Sequence, residues 1–143
     1  MSWDVLLLDA PIDVVSTGQF PGDFSSNLGS RDHVLAEITG LLPDLDLGTP
    51  GWGFLCRDGY YMEIDFGDAD PVPYIALHIR GSENCISALK SICEHTGWKA
   101  FDMTTGGFIQ FDSDPAAGFR KWKTARDEYE AGLIEKKKSQ EGQ

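Results

Sequence analysis

Three strand-like runs stand almost back to back between residues 52 and 80: "WGFLCR", "YYMEIDF" and "PYIALHIR". Successive strands with no helix between them pair antiparallel, so this block sets the architecture of the chain. Alternation assigns the faces. Tyr60, Met62, Ile64 and Phe66 point one way, and Tyr61, Glu63 and Asp65 point the other. In the third run Ile75, Leu77 and Ile79 point inward, while Tyr74, Ala76, His78 and Arg80 point outward. The turn at Arg57-Asp58-Gly59 allows two registers. A two-residue Asp58-Gly59 loop sets Phe54 opposite Glu63 and Cys56 opposite Tyr61, mixing apolar and acidic residues on one face. A three-residue loop closing in a glycine bulge sets Trp52 opposite Ile64, Phe54 opposite Met62 and Cys56 opposite Tyr60. That second register makes one face wholly apolar, and burial selects register, so the bulged turn is expected.

The remaining elements follow from period and punctuation. "SWDVLLLDA" reads as a first strand through the apolar run Val5–Leu8. A Gly/Pro/Ser/Asp-rich loop, 10–29, follows, with Phe20 and Phe24 as its packing residues. Ser30 caps a helix from Arg31 to about Leu42, whose apolar face is Val34, Leu35, Ile38, Leu41 and Leu42 and which Pro43 stops. Ser82 caps a second helix over 83–96 with the stripe Cys85, Ile86, Leu89, Ile92 and Cys93, ended by Gly97. "WKAFDM" and "GFIQFD" read as two strands. Asp114 caps a third helix with Pro115 at its first position and Phe119, Trp122, Tyr129 and Leu133 as a narrow stripe. The order β-α-β-β-β-α-β-β-α predicts an α+β domain over 1–135: a largely antiparallel sheet of five to six strands with helices on one face. Residues 136–143, "KKKSQEGQ", read as a disordered polar tail.

Composition excludes several functions. The chain has 143 residues and a net charge of −11. Residues 1–112 hold 17 acids against 5 bases, and 113–143 hold 6 against 7. Such an acidic body repels nucleic acid and anionic lipid, and its complement is a basic protein surface. No apolar run is long enough to span a membrane. The first residues, with Asp4, Asp9 and Asp13, do not resemble a secretory signal. Three cysteines without a Cys-x-x-Cys pair favour neither a disulfide framework nor a zinc site. A cytoplasmic location is expected.

The candidate chemistry lies in "YYMEIDFGDADP", which holds Glu63, Asp65, Asp68 and Asp70. Asp65-Phe66-Gly67 shares its letters with the kinase magnesium motif, but no glycine-rich or catalytic loop accompanies it. A calcium loop counted from Asp65 would need a bidentate Glu at its twelfth position, where Ala76 stands. No metal or cofactor is expected. Glu63 and Asp65 instead belong to the outward face of a strand, and Asp68 and Asp70 to the turn after it. Pairing of that strand with the next gathers Tyr61, Glu63, Asp65, Tyr74, His78 and Arg80 on one outer face. Three readings stand: cross-strand ion pairs on a solvated face; a partner-binding face, since aromatics mixed with charges suit interfaces; or an acid/base couple of Glu63 and His78. His33 and His95 lack metal-ligand spacing. The basic residues Arg120, Lys121, Lys123 and Arg126 share their helix with Asp127, Glu128 and Glu130, as on a solvated face.

"MSWDV", "LGSR" at 28–31, "WG" at 52–53, "LHIRG" at 77–81 and "GWKAFDMTTGGF" at 97–108 together resemble a family of small uncharacterised bacterial proteins. The resemblance covers most of residues 1–112 and brings no catalytic residues with it. Small acidic bacterial proteins of this type include immunity proteins and antitoxins, a class analogy. The expected function is therefore a non-enzymatic protein-binding module, an immunity protein or antitoxin that occludes a toxin or other basic surface. Its partner-binding residues would be Tyr61, Glu63, Asp65, Asp68, Asp70, Tyr74, His78 and Arg80. A small hydrolase or transferase using Glu63 and His78 is the alternative. A structural or oligomerising domain, marked by an exposed apolar strip on the third helix or the first loop, is a further one.

Overall fold

The computed structural model describes residues 1–10 and 25–141. The loop expected at 10–29, with Phe20 and Phe24, falls mostly outside them. The strands are β1 (Trp3–Leu8), β2 (Trp52–Arg57), β3 (Tyr60–Asp65), β4 (Tyr74–Gly81), β5 (Lys99–Asp102) and β6 (Gly107–Phe108). The helices are α1 (Arg31–Leu41), α2 (Cys85–Thr96) and α3 (Ala117–Glu141). The six strands form one sheet in the order β2-β3-β4-β1-β5-β6, every pair antiparallel. The chain is an α+β domain.

The apolar run of β1 suits its central place between β4 and β5. Trp3, Val5 and Leu7 are fully buried on one face with Met62, Ile64, Ile75, Leu77 and Ile79. Val34 and Ile38 of α1, Cys85, Leu89 and Ile92 of α2, and Phe119 and Trp122 of α3 join the same cluster. All three helices therefore cover one face of the sheet. Trp3 links the layers: its ring meets Phe119 edge-on at 5.5 Å, and its indole N–H donates to buried Asp102 at 3.0 Å.

The helix ends show where local signals hold. Ser30 Oγ accepts the His33 N–H at 3.2 Å, capping α1 as expected. Ser82 does not cap α2. Its hydroxyl donates to the Asp58 carbonyl at 3.2 Å, where Asn84 Nδ2 also donates at 2.9 Å, so the segment is tied to the hairpin and α2 begins at Cys85. Asp114 does not cap α3 either. Its carboxylate takes Arg120 Nη1 at 3.0 and 3.1 Å, and helix begins at Ala117. At the other end α3 continues to Glu141, through most of the stretch expected as a disordered tail. Only the first half of its expected stripe is core: Phe119 and Trp122 are buried, whereas Tyr129 and Leu133 are exposed.

The hairpin register differs from expectation. Arg57 pairs with Tyr60, Cys56 with Tyr61, Phe54 with Glu63 and Trp52 with Asp65. The loop is the two-residue one, with positive φ at both Asp58 (+53°) and Gly59 (+80°). That primed turn matches the right-handed twist of the strands it joins. The core does not lack for it, because Leu55 is fully buried and Leu45 packs against Gly53. Trp52, Phe54 and Cys56 consequently stand on the outer face with the acids. Local turn chemistry outweighed the gain from gathering all the apolar residues of β2 inside.

Candidate functional site: the outer sheet face

Register builds this face. Tyr61 lies opposite Arg80, Glu63 opposite His78 and Asp65 opposite Ala76 across β3 and β4. Asp4 of β1 lies opposite His78 on its other side. The sequence-derived set Tyr61, Glu63, Asp65, His78 and Arg80 is thus brought onto one surface, with Tyr74, 49% exposed, at its end. Arg80 Nη1 donates to Glu63 Oε1 at 3.3 Å, and Arg80 Nε donates to the Met1 carbonyl at 3.3 Å. His78 Nδ1 lies 2.8 Å from Asp4 Oδ1, so its hydrogen-bond partner is Asp4 and not Glu63. The aromatics that sequence patterning placed inside now complete the face. Trp52 and Phe54 stack at 6.4 Å with a 14° interplanar angle, and the Trp52 ring lies 6.3 Å from that of His78.

Asp68 and Asp70 sit beside this face in the β3–β4 connection. Backbone pairing pins that loop. The Leu28 N–H donates to the Val72 carbonyl at 2.8 Å, and the Val72 N–H to the Gly29 carbonyl at 2.9 Å. Asp70 Oδ1 accepts the Arg31 N–H at 3.1 Å, satisfying a free donor in the first turn of α1. Asp65 Oδ1 accepts the Gly67 N–H at 2.9 Å, closing the turn at the end of β3. These two acids therefore have structural duties; Asp68 and Asp70 are both exposed. A cleft of about 400 Å³ opens where the loop meets β2, lined by Arg31, Pro50, Gly51, Trp52, Asp65, Gly67 and Asp68. Arg31 Nη1 is buried there without a partner among the described residues.

Glu63 and His78 are register partners, but neither lines this cleft; Cys56, an exposed thiol on the same face, lies opposite Tyr61. Among the described residues, no group of three or more His, Cys, Asp or Glu side chains is arranged to hold a metal ion. No described helix is long and apolar enough to cross a membrane. Burial pushes the Cys85 and Cys93 thiols up to about 12, so both stay protonated near neutral pH; Cys85 is buried and Cys93 half-buried.

Trp52, Phe54 and Asp4 are the members that sequence reasoning missed. Asp58-Gly59, read as a primed two-residue turn, would have turned Trp52 and Phe54 outward. Alternation along β1, extended to Asp4, would have supplied the partner of His78. In comparisons with known proteins, no family model, no curated protein and no solved structure matches this chain.

Proposed function

We propose that the chain is a protein-binding module that engages a basic partner through the outer face of its sheet, and that it acts as an immunity protein or antitoxin. One observation carries the reading. Opposite the three helices, the face of β1 to β4 and the adjoining β3–β4 loop present Trp52, Phe54, Tyr61 and Tyr74 among Asp4, Glu63, Asp65 and Asp68, and no described helix covers them. Trp, Tyr and Arg are the residue types in which binding energy concentrates, and carboxylates around them select a basic counterpart. The excess of acids over residues 1–112 extends that attraction beyond contact distance. Occlusion follows if the partner's basic groups line its active cleft, since the aromatic platform would then cover the catalytic groups.

The protein encoded beside this one in its genome is the partner to test, by calorimetry with both proteins purified. Glu63→Lys/Asp65→Lys is expected to weaken binding by at least about tenfold, or 1.4 kcal/mol, at moderate salt. Undiminished affinity would remove this face from the mechanism.

A further inference from the structure

Helix α3 runs 25 residues, about 37 Å at 1.5 Å per residue, but the domain holds only its beginning. Phe119 and Trp122 are buried, while every residue from Asp127 to Lys138 is exposed. A helical segment of this length without packing is marginal in water and takes its stability from an apolar face that something covers. Such a face exists. Tyr129, Leu133 and Ile134 are 61%, 48% and 56% exposed. Phe119, Trp122, Arg126, Tyr129 and Leu133 follow one another at spacings of three and four residues, the seam of a paired helix. Arg126 continues that seam with its guanidinium 5.0 Å from the Trp122 ring.

The charges beside the seam identify the occupant. Asp127, Glu128 and Glu130 form an acidic turn, and Lys136, Lys137 and Lys138 form a basic one. Two parallel copies in register would set acid against acid and lysine against lysine. Two antiparallel copies crossing between Leu133 and Ile134 set Glu130 of each against Lys137 of the other. Glu130 and Lys137, seven residues apart on the same flank of the seam, then meet twice about the two-fold axis. Gly132, which disfavours a helix interior by about 1 kcal/mol relative to Ala, has nothing within 4 Å of where its Cβ would stand. The chain's own packing gives no reason for it, and beside Leu133 it admits a close neighbour.

We infer that the exposed half of α3 is a self-association surface, and that the chain forms a dimer through antiparallel pairing of residues 126–138 with those of a second copy. The inference is independent of the sheet face, which lies on the other side of the domain. Sedimentation equilibrium on the full chain is the test. The mass rises from 15.8 kDa to twice that value between low and high micromolar concentration. Leu133→Asp, a change at an exposed position, leaves the far-ultraviolet dichroism of the domain in place and the mass monomeric throughout. Glu130→Lys and Lys137→Glu each weaken the dimer about three- to tenfold at low salt, and the double exchange restores it. A wild-type chain that remains monomeric over the whole range overturns the proposal. So does a double exchange that does not rescue, or a monomeric chain that instead sediments with phosphatidylglycerol vesicles.

Discussion

Gly118 stands in the first turn of α3 directly against the carboxylate of Asp102, and a Cβ placed there would overlap Asp102 Oδ2. That carboxylate is 3% exposed and accepts the Trp3 indole N–H and, at 2.8 Å, the Thr104 N–H. Gly118→Ala is expected to lower stability by about 3 kcal/mol in urea denaturation, because the start of the helix or the carboxylate held by Trp3 and Thr104 must shift. Asp102→Ala, which leaves the Trp3 donor unpaired, is expected to cost about 2 kcal/mol. The thiols make a separate test. Cys56 is exposed, whereas Cys85 and Cys93 are raised from 9.0 to about 12 by burial. At pH 8 a disulfide reagent is expected to titrate one thiol fast in the native chain and three after denaturation; three fast native thiols would contradict the raised values of Cys85 and Cys93. Their folded values lie above the unfolded ones. The stability they confer is therefore complete below about pH 9 and lost as pH rises towards 12. A Cys85→Ala/Cys93→Ala variant is expected to show a shallower alkaline decline.

At the level of elements, the β2–β3 hairpin rests on two residues with positive φ. Gly59→Val is expected to destabilise by about 2 kcal/mol, since a β-branched side chain is strained at +80°, while Asp58→Gly is expected to be close to neutral; thermal unfolding of the two variants distinguishes them. The same hairpin shows where sequence reading failed. Both faces of β2 carry apolar residues, Trp52, Phe54 and Cys56 on one and Leu55 on the other, so burial alone does not choose between them. The Asp-Gly turn does choose. By contrast β3 and β4 alternate cleanly, and their inward sets, Met62 with Ile64 and Ile75, Leu77 with Ile79, were legible from the letters. So was α1, where Ser30, the apolar spacing and Pro43 agree. The late starts of α2 and α3 were not legible, because the Ser82 and Asp114 side chains engage a distant carbonyl and a downstream arginine. Of the candidate site, the strand acids, His78 and Arg80 were legible from alternation. The stacked Trp52 and Phe54 were lost with the register, and Asp4 because it is far away in sequence.

For the molecule as a whole, the layered arrangement gives each side of the domain a distinct character. The helical side supplies the core and projects α3; the other side carries acids and aromatics. The charge imbalance gives a global prediction. Association of the sheet face with a basic partner is expected to slow by about tenfold or more as salt rises from low to physiological levels in stopped-flow mixing, with a much smaller change in the dissociation rate. A salt-insensitive association rate would argue that electrostatic steering is absent. The outer rim of the sheet has a consequence of its own. Asp46 lies alongside β2 and exchanges both backbone hydrogen bonds with Phe54 at 2.9 Å, while the opposite margin, β6, is only two residues long. Among the described residues, neither border offers an extended template for an incoming chain. Recognition by β-augmentation, in which a peptide docks as an added strand, is therefore disfavoured, and the proposed partner would read side chains instead.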